Sequence, residues 1–299
     1  VAELVKNTVE IPTLQTEEKT ISPWKEAWQS FYKNRLALAG LIIVVFFIIL
    51  AIIAPLAAPY SYDGQTLTDR LQPPSSKHWF GTDDFGRDIF SRVVYGARIS
   101  LWVGFFSVLG SVIAGTLLGI IAGYYGRWVD TIISRVFDVM LAFPSILLAI
   151  AVVAILGPSL QNALIAIAVI NIPNFGRLIR SRVLSVKQEE YIMAARAIGM
   201  KDSRILLHHI LPNSISPVIV QATLAIASAI IEAAGLGFLG LGAQPPTPEW
   251  GKMLADSKQY LVQAPWTLFF PGIAIALTVL GFNLMGDGLR DVLDPKMKQ

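Results

Sequence analysis

Residues 187–212 read KQEEYIMAARAIGMKDSRILLHHILP and lie between two long apolar runs. Residues 187–198 predict a helix. Its acids, Glu189 and Glu190, fall in the first turn, where they suit the positive end of the helix dipole. Gly199 follows as a C-terminal helix stop. Asp202 is the predicted N-cap of a second short helix, Ser203 to Leu211, and Pro212 is expected to end it. Tyr191, Ile192, Ala195 and Ile198 can share one apolar face. Ile205, Leu206, Ile210 and Leu211 can share another. Two amphipathic helices set between apolar runs must be covered by something, so the stretch predicts a membrane protein that docks a partner through a loop.

The composition outside the loop agrees. The chain has 299 residues, of which 54% are hydrophobic and 15% charged, with a mean hydropathy of +0.58. Soluble domains carry about 25% charged residues. The chain contains no cysteine, which excludes disulfides, thiolate metal sites and thiol catalysis. Residues 1–35 are polar and mixed in charge and do not read as a cleaved signal peptide.

A bilayer core of about 30 Å takes roughly 20 apolar residues in a helix. Six runs are candidates: Leu36 to Ala54, Ile99 to Gly123, Val139 to Leu156, Leu160 to about Pro173, Ile215 to about Leu241, and Trp266 to Met285. The fourth is short, interrupted by Asn162 and Asn171, and can also be read as a re-entrant segment. The fifth contains Glu232.

Lys and Arg in the flanks set the orientation. Lys25, Lys33 and Arg35 precede the first span and predict a cytoplasmic start. Alternation then places the loop 176–213 inside, with Arg177, Arg180, Arg182, Lys187, Arg196, Lys201 and Arg204 against Glu189, Glu190 and Asp202. Six spans with both ends in the cytoplasm is the consistent solution. It divides the chain into a cytoplasmic segment 1–35, a first span 36–58, an extracytoplasmic loop 59–97, a block of five spans over 98–287 that contains the loop 187–212, and a cytoplasmic tail 288–299.

Ser107, Ser111, Gly115, Gly119 and Gly123 recur every fourth residue along the second span. Such a stripe lets another helix approach closely in lipid, either within the chain or from a second chain. The charged group Asp83, Asp84, Arg87, Asp88 and Arg92 reads as a brace of the outer loop or as a contact with a partner. Glu232, an acid inside a span, is a functional candidate by default. It can line a translocation path, pair with an arginine of a neighbouring helix, or sit at the outer interface.

Two patterns resemble those of bacterial ABC importer permeases. Ala194-Ala195, three residues, Gly199, then Leu211-Pro212 is similar to the EAA loop of that family, Glu-Ala-Ala, three residues, Gly, nine residues, Ile-x-Leu-Pro. Met193 stands where the Glu is expected and His209 where the Ile is expected, with Ile210 adjacent. Gly81-Thr82-Asp83, Gly86-Arg87-Asp88, Ser91-Arg92, Gly96 and Arg98-Ile99-Ser100-Leu101 resemble the C-type permease subunit of dipeptide, oligopeptide and nickel importers. Lys33-Asn34-Arg35, Ala54-Pro55 and the stretch from Gly235 to Gly242 followed by Pro245, Pro246 and Trp250-Gly251 fit the same subfamily. The resemblance covers residues 23–295.

It implies an all-α type I ABC permease fold of six transmembrane helices in the bacterial plasma membrane. It also implies a second, B-type permease chain, two ATP-binding subunits that carry ATP and Mg, and an extracytoplasmic binding protein that delivers a peptide. This chain would bind no cofactor and catalyse no reaction. Tyr191, Ala194, Ala195, Arg196, Ile198, Gly199, Ile205, Leu206, Leu211 and Pro212 would dock an ATPase. Gly81, Asp83, Gly86, Arg87, Asp88 and Arg92 carry the outer-loop signature.

Other classes fit less of the sequence. Gly235-Leu236-Gly237-Phe238-Leu239-Gly240 matches G-x-G-x-x-G, but at the end of a span, with no strand before it. No G-x-x-x-x-G-K-[ST] occurs, so the chain is not expected to hydrolyse ATP. His208 and His209 are adjacent on a helix, point about 100° apart and do not make a metal site. His78, beside Trp79, reads as an interfacial or packing residue. An ion-coupled secondary transporter would show inverted repeats and several coupling acids. A tethered helix-turn-helix would need a longer tether, so no nucleic acid partner is expected.

Overall fold

The computed structural model describes Trp28 and residues 31–293. Lys25, most of the predicted cytoplasmic segment 1–35 and residues 294–299 of the predicted tail lie outside the described residues. The helices are α1 Arg35–Ile52, α2 Ala54–Ala57, α3 Ile89–Tyr125, α4 Arg127–Leu141, α5 Ser145–Leu156, α6 Leu160–Val186, α7 Glu190–Ala197, α8 Asp202–Ile205, α9 Leu211–Phe238, α10 Trp250–Ser257 and α11 Trp266–Leu293. Among the described residues five helical stretches are long and apolar enough to cross a bilayer, and a bent pair, α4 with α5, makes a sixth if it is counted as one span.

Asn34 starts α1 by accepting the N–H groups of Leu36 and Ala37 at 3.1 Å. The same side chain donates to Asp291 at 3.3 Å, which joins the start of α1 to the end of α11. α3 and α6 share the tightest interface. Ser111 Oγ donates to the Ala168 carbonyl at 2.8 Å. A Cβ on Gly115 would lie 2.7 Å from the Ile172 carbonyl oxygen, and one on Gly123 would lie 2.9 Å from the Val183 side chain. The stripe Ser107, Ser111, Gly115, Gly119 and Gly123 is buried, and these contacts are made within the chain. The alternative of a second chain packed on that stripe is set aside.

Four sequence boundaries are corrected. The helix that carries the second span begins at Ile89, ahead of the predicted apolar run, because Asp88 caps it from inside the predicted loop 59–97 and accepts Ser91 N–H at 2.8 Å. The third is not one straight span. α4 and α5 meet at 96°, with the break between Ala142, which ends α4, and Pro144, whose extended backbone stands at the cap position of α5. α4 carries Asp130 and Asp138, which pair with Arg180 and Arg177 of α6. α5 has 12 residues, about 18 Å at 1.5 Å per residue. The fourth run is not short: α6 continues through Pro173 to Val186, taking the first third of the predicted loop 176–213 into a helix. Prolines persist in membrane helices where neighbours satisfy the freed carbonyl.

The fourth correction concerns Pro212, which does not end the helix before it. Residues 206–210 form a π turn, in which Leu211 N–H bonds the Leu206 carbonyl. Pro212 then occupies the first turn of α9, directly after the π turn, so the altered register falls where the proline has no N–H to donate. α8, the π turn and α9 run on as one stretch from Asp202 to Phe238.

Candidate functional site

The loop between α6 and α9 is held from beneath by its own chain. Ile192 and Ala195 of α7, Ile205 of α8 and Ile210 of the π turn are buried and belong to the main apolar core. Gly199 has φ +80°, a conformation that L side chains avoid. It closes α7 in a Schellman arrangement: Met200 N–H bonds the Ala195 carbonyl at 3.1 Å and Gly199 N–H bonds the Arg196 carbonyl at 2.9 Å. The turn folds α8 back, so the apolar face of each short helix points into the bundle.

The predicted docking set therefore divides. Tyr191, Ala194, Arg196, Ile198, Gly199 and Pro212 are exposed. Ala195 and Ile205 are not available to a partner, because the chain buries them itself. Leu206 and Leu211 are half-buried. Two residues join the exposed side that sequence did not select as contacts, Met193 and Leu207. Ile198 is 79% exposed. Met193, Ile198 and Leu207 are thus large apolar side chains exposed on a polar loop.

Asp202 is also reassigned. Lys201 is the cap position of α8, and no side chain caps it. The Asp202 carboxylate instead accepts the Tyr124 hydroxyl of α3 at 2.5 Å. Lys187 Nζ donates to the Tyr124 carbonyl at 2.5 Å. Burial and the nearby Arg196 charge push the Lys187 ammonium below its ordinary value. Tyr124 was legible only as an aromatic at the end of a span. Its partners are 63 and 78 residues away in sequence.

At the other end of α3, the six signature residues form one knot. Asp83 accepts Arg87 Nε at 2.6 Å and Arg87 N–H at 2.9 Å, and lies 3.6 Å from Arg92 Nε. Asp88 caps α3 and faces His78 Nδ1 at 2.9 Å. Arg92 Nη1 reaches the Tyr62 carbonyl at 2.8 Å. Gly81 accepts Ile89 N–H at 3.0 Å and Gly86 donates to the Asp83 carbonyl at 3.0 Å. Arg87, Asp88 and Arg92 are all buried. Charges so desolvated need each other, and the knot braces the chain internally. Asp84 stands at its rim, pushed up by burial and by the neighbouring Asp83. Glu249, which sequence did not single out, caps α10 through Gly251 and Lys252 N–H at 2.8 Å each. It is 2% exposed, and burial pushes it up to about 7.

Glu232 of α9 meets Asn171 of α6, whose Nδ2 donates to it at 3.0 Å. It makes no ion pair with an arginine among the described residues. Among the described residues no group of three metal-ligating side chains occurs.

A helix bundle with one basic, half-exposed loop and a charged knot at its far end has relatives. The family described as binding-protein-dependent transport system inner membrane component matches residues 115–299. The N-terminal transmembrane domain of oligopeptide transport permease C matches residues 22–74. The chain belongs to the binding-protein-dependent transport permeases. This permease is 66% identical to a dipeptide transport system permease of Alkalihalophilus pseudofirmus, over 96% of this chain and 94% of that one. It is 51% identical to a glutathione transport system permease of Pectobacterium atrosepticum, over 93% and 92%. A methionine ABC transporter solved in inward-facing conformations has the same fold, with TM-score 0.55 and 20% identity over 68% of this chain and 97% of that one. The permease is an ABC importer subunit of the type I fold, and it is multi-pass.

Proposed function

We propose that the permease forms half of the translocation pore of a di- and oligopeptide importer in a bacterial plasma membrane, with both ends in the cytoplasm. A paralogous B-type permease supplies the other half. Two ATP-binding subunits hold ATP and Mg and do the hydrolysis, and an extracytoplasmic binding protein delivers the peptide. The permease itself is not catalytic.

The observation that carries this reading is the division of the loop. Ile192, Ala195, Ile205 and Ile210 anchor it, which leaves Tyr191, Met193, Ile198 and Leu207 facing outward. An anchored loop with an apolar outer face can take a load from a partner and pass it to the helices beneath. Closure of the ATPase pair then biases a two-state pore through contacts that differ between the states. Glu232, held at Asn171, lines the path and meets the ammonium of a passing peptide. The peptide class rests on relatives named for dipeptide and glutathione transport; a nickel or other small-solute permease is the alternative.

The test is co-purification and uptake. Tagged permease should bring down ATPase subunits, and Gly199→Pro should release them. That change forbids φ +80° and removes the N–H bonded to Arg196. Dipeptide uptake into vesicles should require ATP and the binding protein. Proton-driven uptake by the purified single chain overturns the reading.

A further inference from the structure

α3 is a continuous helix of 37 residues, about 56 Å long at 1.5 Å per residue. Its first turn is built into the knot of Asp83, Arg87, Asp88 and Arg92. Its last turn carries Tyr124, which is 4% exposed. The loop segment closes on this one residue from three places. Lys187, just before α7, donates to its carbonyl. The guanidinium of Arg196, on α7, lies 5.1 Å from its ring centroid. Asp202, at the start of α8, accepts its hydroxyl. Lys187 Nζ also lies 5.5 Å from the ring centroid.

We propose that Tyr124 is the joint through which the loop drives α3, and through α3 the knot at the opposite face. The proposal rests on the docking reading above. A loop tied only by its covalent ends would load α6 and α9. The Tyr124 contacts add α3 directly, from α7 and from the start of α8. A charge-assisted hydrogen bond fixes both distance and direction, so the Tyr124–Asp202 bond transmits displacement, whereas the cations over the ring hold contact without fixing an angle. α3 runs unbroken from Ile89 to Tyr125. Axial movement at Tyr124 is then delivered to Asp88 with little loss. Tyr124 is a positioning residue: it acts through Lys187, Arg196 and Asp202.

The experiment uses the whole complex in proteoliposomes, with the binding protein and a dipeptide. Tyr124→Phe keeps the ring and loses the hydroxyl. The ATPase subunits should co-purify in wild-type proportion. Stimulation of ATP hydrolysis by loaded binding protein should fall about tenfold, the effect of losing a charge-assisted hydrogen bond from one state. Peptide imported per ATP should fall with it. Asp202→Ala should behave likewise, and Asp202→Asn, which keeps an acceptor, should restore most of the coupling. Wild-type stimulation and wild-type uptake per ATP in both Tyr124→Phe and Asp202→Ala overturn the joint. Release of the ATPase subunits by either variant overturns it too, because the contact would then serve the docking surface itself. The docking reading fails on a different result, retention of the ATPase subunits by Ile198→Asp.

Discussion

Asn171 Nδ2 and Glu232 Oε2 lie 3.0 Å apart and join α6 to α9 in the interior of the bundle. Both helices lead into the loop that carries α7 and α8, one at each end. An amide can satisfy a carboxylate without neutralising it, so the acid keeps its capacity to meet a cation. Glu232→Gln keeps the shape and a hydrogen bond to Asn171. Uptake should fall several-fold while the complex assembles normally, measured with labelled dipeptide in vesicles. Wild-type uptake by that variant removes Glu232 from the path.

The two sides of the loop should respond oppositely to substitution. Ile198→Asp places a charge on an exposed residue and should leave the melting temperature of the isolated permease unchanged while abolishing ATPase co-purification. Ile205→Ala acts on a fully buried side chain and should lower permease stability by ~2–5 kcal/mol. Thermal unfolding in detergent, run beside the pull-down, separates the two effects.

Close approach makes Gly115 irreplaceable. Gly115→Leu drives a side chain into the Ile172 carbonyl and the Phe175 side chain and should cost ~3 kcal/mol, read as loss of the monodisperse peak on size exclusion. Gly272 of α11 is the control. Its nearest neighbour for an added Cβ is Leu254 at 3.9 Å, so Gly272→Ala should be neutral or raise stability by ~0.5–1 kcal/mol.

Glu249 gives the pH dependence. Its folded value, about 7, lies above the ordinary carboxylate value of 4.5. A raised folded value means that the folded state holds its proton while the unfolded state has lost it. The contribution is therefore complete below pH 4.5 and is lost as pH rises through about 7. The shift corresponds to ~3 kcal/mol across that window. Glu249→Gln should flatten the fall in melting temperature across the same window. An unchanged slope assigns the dependence to another group.

The spans were legible because uncharged runs of about 20 residues have few other uses, and the loop because a glycine between two amphipathic helices has a plain backbone meaning. Ser107 to Gly123 could be read as a packing stripe from its period alone. The boundaries were not legible, for reasons specific to each place. Ile89 to Arg98 looks like loop because Arg92 and Arg98 interrupt its apolar residues, yet it is helix because Asp88 caps it and Asp83 and Tyr62 satisfy Arg92. The fourth run looks finished at Pro173, where the apolar residues give way to arginines. α6 nevertheless passes through it to Val186, because Gly119 and Gly123 of α3 pack against Ile179 and Val183 beyond that point.

The sequence by itself determined that this chain lives in a membrane, crosses it about six times and presents one basic loop, because hydrophobic period and charge placement are local properties. Tertiary structure alone decided which loop residues face outward. Ile192, Ala195, Ile205 and Ile210 look as available as Ile198 until α9 is seen to continue through the π turn and bring the core beneath them. It alone decided that Asp202 belongs to Tyr124 and Glu232 to Asn171. Those pairings join residues 78 and 61 positions apart, and no local pattern encodes them.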